Sequence, residues 1–207
     1  MNHTTPSPHA KAAYFDEIAE SWDSWESPSA ALRLEQGLGE LELRPDEIIV
    51  DVGCGTGNLS HALLRHLSAK GRVIGIDIAA RMIDIARRKV QDDRAVWYVG
   101  DAGKLPLPDD SVDRVICFSV WPHFDNPSAC AAEFRRVLRP GGYLHVWHLL
   151  SRERINSIHA SAGEAVRSDI LHSGIDVAAL LTSAGFTWSS VTDNDDVYLV
   201  TVTKPLT

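Results

Sequence analysis

Short apolar runs alternate with helix-patterned stretches from residue 48 to residue 149, and that alternation restricts the fold more than any other feature of this 207-residue chain. Residues 48–52, 73–77, 95–99, 112–118 and 143–149 read as strands. Residues 59–67, 82–90 and 128–138 read as helices, the last stopped by Pro140-Gly141-Gly142. Strands alternating with helices of this length build βαβ units around a mainly parallel sheet. The end of the chain breaks the rhythm. After a helix over 177–184, closed by Gly185, the strand-like runs 186–192 and 197–203 are separated only by Asp193-Asn194-Asp195-Asp196. Such a hairpin makes at least one of its strands antiparallel. The expectation is a doubly wound α/β fold: a mainly parallel, seven-stranded sheet with an antiparallel C-terminal hairpin.

The length fits one α/β domain with a short extension. That extension carries two helical stretches. In residues 11–25, Phe15, Ile18 and Trp22 fall at i, i+3 and i+7 of an amphipathic helix. A second helix runs from about Ala30 to Leu41 and ends near Arg44-Pro45. Lys and Arg total 20 against 28 Asp and Glu, a formal net charge of −8. Nucleic-acid binding draws on a basic face, so this balance argues against such a partner. The cluster Arg81, Arg87, Arg88 and Lys89 is the one local exception, and it reads as a solvated helix face. No apolar run approaches the roughly 20 residues of a membrane span. Residues 1–9 carry no basic region followed by an apolar stretch, so no secretory leader is expected. Cys54, Cys117 and Cys130 are too scattered for a metal motif. A reduced, cytoplasmic protein is expected, with no membrane partner.

The strongest local signal is Asp51-Val52-Gly53-Cys54-Gly55-Thr56-Gly57-Asn58, which ends one strand and opens a helix. Glycines there allow a tight turn and bring backbone N–H groups close to a ligand. In open α/β sheets, ligands lie beyond the carboxyl ends of the strands. A ligand carrying a ribose also needs an acid at the end of the second strand, and Asp77 stands there. The pair also suits an NAD(P)-dependent oxidoreductase, but the dinucleotide fingerprint is G-x-G-x-x-G. Here the glycines sit at 53, 55 and 57, and Asn58 holds the last position. Asp51 would be awkward beside a pyrophosphate and suits a cationic amino-acid ligand.

The run Asp51 to Gly57 resembles motif I of the Rossmann-like, class I S-adenosylmethionine (SAM)-dependent methyltransferases. Gly75-Ile76-Asp77 is similar to the ribose-binding acid motif of that family, and Gly100-Asp101-Ala102 with Leu105-Pro106 to its adenine-binding segment. Leu138-Arg139-Pro140-Gly141-Gly142 resembles the loop before its fifth strand, and the terminal hairpin its last two strands. The chain looks like a small, stand-alone, UbiE-like member. The resemblance implies strand order 3-2-1-4-5-7-6, SAM as cofactor, and methyl transfer to a small-molecule acceptor. It also implies a division into a helical cap of the cofactor site over 1–44 and a SAM-binding domain over 45–207. Carried over by position, Asp51, Gly53, Gly55 and Gly57 take the methionine side, Asp77 and Ile78 the ribose, and Asp101 and Ala102 the adenine. Phe118 and Ser119 border the sulfonium, and Tyr14, Phe15 and Trp22 of the first helix cover it. A SAM-binding protein without catalysis keeps the same loop and remains an alternative, and monomer and homodimer both stay open.

The acceptor should approach after the fourth strand, at Ser119-Val120-Trp121-Pro122-His123-Phe124-Asp125. Trp121 is a candidate contact and His123 a candidate general base, needed if the acceptor must lose a proton. The fifth strand ends His145-Val146-Trp147-His148. Alternation puts His145 and Trp147 on one face and His148 on the other, and His148, nearer the carboxyl end, is the second candidate base. An insertion over 149–174 is expected to roof the acceptor pocket. Ser151 can cap a helix running to about Ala160, on which Arg152, Ile155 and His159 share a face. Arg152 and His159 could meet an anionic acceptor. His123, His148 and His159, with Asp169, match no metal-ligand spacing, so no metal is expected.

Overall fold

The computed structural model describes residues 8–25 and 28–207. The leader reading falls mostly on residues 1–7, outside that set. Seven strands, β1 (Ile48–Val52), β2 (Arg72–Asp77), β3 (Ala95–Val99), β4 (Val112–Phe118), β5 (Leu138–His148), β6 (Thr187–Asp193) and β7 (Tyr198–Thr203), form one sheet in the order β3-β2-β1-β4-β5-β7-β6. The first five run parallel, β7 is antiparallel to β5, and β6 is antiparallel to β7. The sheet and its terminal hairpin are those expected from the sequence.

Among the described residues, seven α-helices surround it: α1 (Pro8–Ile18), α2 (Pro28–Glu40), α3 (Asn58–His66), α4 (Ala80–Lys89), α5 (Pro127–Val137), α6 (Arg152–Ala160) and α7 (Gly174–Ser183). The central strands are apolar along their length because both faces are covered. Val50, Val115, Leu144, Val146 and Val200 pack with Phe134 of α5 and Leu181 of α7. Their strand neighbours Ile49, Val73, Ile116 and Trp147 face the other way, onto Leu38 of α2, Leu63 of α3 and Ile83 of α4. A one-residue slip of an inner strand would turn each apolar set onto the opposite helix layer, where its packing partners differ.

Two boundaries differ from the sequence reading. The amphipathic stretch 11–25 is not one α-helix, because α1 stops at Ile18 and a tight 3-10 segment, Ala19–Trp25, follows. Ser21 Oγ donates to the Ile18 carbonyl at 3.0 Å and Ser24 Oγ to the Ser21 carbonyl at 2.6 Å. Serine hydroxyls compete for backbone carbonyls in this way and tighten or end helices. The Pro140-Gly141-Gly142 stretch lies inside β5 rather than before it. The ladder jumps from Val112 opposite Leu138 to Arg114 opposite Tyr143, and the extra residues bulge. The bulge is pinned by Gly141 N–H to the Lys204 carbonyl and Lys204 N–H to the Gly142 carbonyl, both 2.9 Å.

One buried ion pair sits at the opposite end of the sheet from the glycine loop. Arg114 donates twice to Glu47, at 2.8 and 2.9 Å, and also meets His145 Nε2, while His145 Nδ1 pairs with Thr201 Oγ1 at 3.0 Å. His145 is therefore part of the frame, on the face its alternation assigned.

Candidate functional site

The glycine loop turns back over the end of β2. Gly53 and Cys54 N–H donate to the Ile76 carbonyl at 2.7 and 3.1 Å. Gly55 N–H donates to Asp77 Oδ2 at 2.9 Å, and Ala79 N–H to Asp77 Oδ1 at 2.8 Å. Gly53 and Gly55 have φ of 67° and 53°, where side chains are strained. A Cβ on Gly53 would lie 2.3 Å from Val120 Cγ2, so the close approach also requires glycine. Each Asp77 oxygen spends one lone pair on the backbone and retains another to accept from a ligand. Burial pushes the Asp77 carboxyl above its ordinary pKa.

Beside this loop opens a cavity of about 370 Å³, within the range of small-molecule sites. Gly53, Gly55, Asp77 and Ile78 form one wall, and Asp101 and Ala102 a second. Ser119, Val120 and His123 form a third, and Phe15, Trp22 and Lys11 descend from the N-terminal segment. The same segment is clamped to the loop from outside, where Asp23 accepts Thr56 Oγ1 at 2.6 Å and pairs with Lys89 at 2.7 Å. Arg81 and Arg88 are likewise turned to Glu20, at 2.9 and 3.7 Å, so acids of the N-terminal segment neutralise the basic cluster of α4.

Other residues singled out in the sequence lie off this wall. Asp51 sits behind the loop and accepts from Ser60 Oγ at 2.6 Å, and burial pushes its carboxyl up to about 7. Gly57 backs onto Trp97 and Ala86. The Phe118 ring leans on Trp147, 4.9 Å between centroids, and Trp121 is buried against Phe124 at 5.5 Å. Tyr14 packs over Gly163 of the insertion. Arg152 pairs with Asp193 at 3.2 Å. His148 is buried with its ring 5.7 Å from Tyr198. Among the described residues, the two ring nitrogens of His148 and the Tyr198 hydroxyl are the buried side-chain polar atoms without a partner. Burial pushes the His148 pKa down to about 3.

The third wall of the cavity is organised around His123, in a 3-10 turn (Trp121–His123) after β4. Ser119, with φ of 56°, makes the sharp exit from the strand and donates its N–H to the Trp147 carbonyl at 2.9 Å. His123 Nδ1 lies 2.7 Å from Asp169 Oδ2. Lys11 Nζ lies 3.1 Å from the other oxygen of Asp169, 2.8 Å from Asp125 Oδ1, and donates to the His123 carbonyl at 2.8 Å. His159 does not reach the cavity wall, but its ring packs on His123 at 4.8 Å and its Nδ1 donates to the Asp169 carbonyl at 2.9 Å. These histidines and Asp169 form no metal-ligand group among the described residues. Lys11 went unremarked in the sequence. Its signal was a lysine on the apolar stripe of the first helix, at i with Phe15, Ile18 and Trp22 at i+4, i+7 and i+11.

The methyltransferase domain family matches residues 50–146, the span from the loop strand to the end of β5. Across these residues the chain is similar to the SAM-dependent methyltransferases. It is 33% identical over 149 residues to a demethylmenaquinone methyltransferase of Symbiobacterium thermophilum, covering 66% of this chain and 59% of that protein. It is 41% identical over 144 residues to a malonyl-acyl-carrier-protein O-methyltransferase of Yersinia pestis, covering 65% and 48%. The chain thus spans about half the length of the curated relatives it matches. Its fold is that of a SAM-dependent methyltransferase from Aquifex aeolicus, with a TM-score of 0.74 and 24% identity over 91% of this chain and 97% of that one. It is equally that of the 4+2 cyclase SpnF, with a TM-score of 0.78 and 19% identity over 99% and 98%. The family's fold therefore carries more than one chemistry, and the site has to decide between them.

Proposed function

We propose that this chain transfers the methyl group of SAM to a small-molecule acceptor by in-line displacement. The observation that carries the reading is the Gly53–Gly55 loop bonded onto Asp77, opening on a cavity whose opposite wall bears His123. SAM supplies an electrophilic methyl on a sulfonium. Asp77 takes the ribose hydroxyls on its remaining lone pairs, with Ile78 beside it. The Gly53 and Gly55 backbone borders the methionine portion, and Asp101 and Ala102 the adenine. Phe15 and Trp22 offer ring faces to the cationic sulfur.

On the acceptor side, His123 is the group placed to take a proton. Its Nδ1 is committed to Asp169, and an ionised carboxylate can only accept, so Nδ1 carries the proton and Nε2 is the basic nitrogen. Much of the remaining acceleration comes from holding nucleophile and methyl in line. The quinone relatives, one of them a C-methyltransferase, support a small-molecule acceptor, and the malonyl-carrier O-methyltransferase supports an oxygen nucleophile. The described residues of 1–44 serve as the cap of the cofactor site, and 149–174 as the roof of the acceptor side. No helix among the described residues is long and apolar enough to cross a membrane.

SAM binding without methyl transfer is the competing reading, because this fold occurs also in a cyclase. Incubation with methyl-labelled SAM and a small-molecule extract separates the two. Label appears in an extract component if the chain is a methyltransferase, and stays on SAM if it is not.

A further inference from the structure

We infer that Asp169 is the positioning residue of the His123 base, and that Lys11 decides which face of that carboxylate the histidine meets. The inference rests on the methyl-transfer reading above and extends it to residues outside the family's cofactor motifs. The three groups come from α1, the turn after β4 and the insertion. They meet because Lys11 and Asp169 are both about 95% buried at the cavity edge, with side-chain exposure of 5% each. A buried ammonium and carboxylate persist only when paired and hydrogen-bonded. Here each is: Lys11 Nζ meets Asp169 Oδ1, Asp125 Oδ1 and the His123 carbonyl, and Asp169 Oδ2 meets His123 Nδ1.

The donor count fixes the orientation. An ammonium only donates, so the Asp169 oxygen facing Lys11 must accept. An ionised carboxylate also only accepts, so His123 Nδ1 must carry its proton toward Oδ2. In methyl transfer, the acceptor's electron pair takes the methyl and its proton passes to Nε2. The sulfur–methyl pair stays on sulfur, turning the sulfonium into a thioether. The imidazolium so formed is held by the carboxylate already beside it. Lys11 thereby ties the N-terminal helix to the carboxylate that orients the base.

The coupling makes an unusual prediction for Asp169→Asn. Lys11 will hold the amide oxygen, leaving the amide NH2 facing His123 Nδ1. That nitrogen must then accept, so the ring proton moves to Nε2 and the base is lost. In the double variant Lys11→Met with Asp169→Asn, the amide can turn and offer its oxygen, restoring the original tautomer. The experiment is long-range proton–nitrogen NMR on histidine-labelled protein, above the pH where the ring is charged, with His123 assigned by His123→Gln. The expected series is Nδ1–H in the wild type, Nε2–H in Asp169→Asn, and Nδ1–H again in the double variant. Nε2–H in the wild type, or no change in Asp169→Asn, overturns the role of Asp169. Nε2–H persisting in the double variant overturns that of Lys11. S-adenosylhomocysteine affinity measured by calorimetry on Asp169→Asn should match the wild type, showing the cofactor site intact. Label transfer from SAM into a small-molecule extract should fall about tenfold or more in Asp169→Asn, as for loss of a general base. A flipped tautomer with undiminished transfer makes Asp169 structural and overturns the proposal. A wild type that transfers no label counts against the methyltransferase reading instead, while the tautomer series still decides the wiring of the three residues.

Discussion

Gly55 N–H donates to Asp77 Oδ2 at 2.9 Å, so the acid at the end of β2 is tied to the glycine loop beside it, on the same wall of the cavity. One carboxylate shapes the loop and keeps lone pairs for a ribose. Asp77→Ala should therefore weaken S-adenosylhomocysteine binding by about 1–3 kcal/mol, the cost of losing hydrogen bonds to a charged group. Isothermal calorimetry on the folded variant checks it, and unchanged affinity would remove Asp77 from the ribose site.

Asp51 gives a pH signature. Burial raises its pKa from 3.8 to about 7, so the folded state holds this proton to higher pH than the unfolded chain does. Its contribution to stability is complete below about pH 4 and is lost as pH rises toward 7. Asp51→Asn keeps an acceptor for Ser60 and removes that loss. The variant should gain on the wild type as pH rises, reaching on the order of 2–4 kcal/mol above pH 7. Urea unfolding of both proteins from pH 4 to 8 is the measurement, and a pH-independent difference would contradict it.

His148 behaves with the opposite sign. Its pKa is pushed down to about 3, so its contribution is present above about pH 6.5 and is lost as pH falls. Both ring nitrogens are buried without partners, each costing about 1–3 kcal/mol. His148→Leu should raise the melting temperature and flatten the acid limb of the stability profile. Label transfer should hold within a few fold. A lower melting temperature, or loss of transfer, would mean that His148 makes an essential polar contact.

His123→Gln should lower label transfer by ~10²–10⁴-fold, the usual contribution of a histidine base, with S-adenosylhomocysteine affinity unchanged. His145→Ala should instead act on stability, because it leaves Arg114 and Thr201 each short of a buried partner. Transfer assays paired with thermal melts separate the two. Equal effects on transfer would undo the distinction between base and frame.

The strand rhythm, the hairpin and the loop with Asp77 were legible because each is written locally, in apolar periodicity, in turn residues and in one 27-residue stretch from Asp51 to Asp77. The break of the first helix at Ile18 was not, since it depends on which carbonyls the hydroxyls of Ser21 and Ser24 choose. The bulge at Pro140-Gly141-Gly142 was read as a loop because its pairing with Lys204 is long-range. The acceptor side was least visible. His123 stood out by its place after β4, but Lys11 is 112 residues away and Asp169 is 46. No periodicity brings such residues together, only the folded insertion does. Asp51 shows the converse: a motif position adjacent to the loop whose side chain turns away from the cavity, onto Ser60.

The central claim is that the cavity beside Asp77 takes SAM and not a dinucleotide, and titration calorimetry of the wild-type protein against SAM, S-adenosylhomocysteine and NAD tests it most directly. Micromolar binding of the first two with no heat from NAD is the expected result. Binding of NAD without SAM would contradict the account at its root.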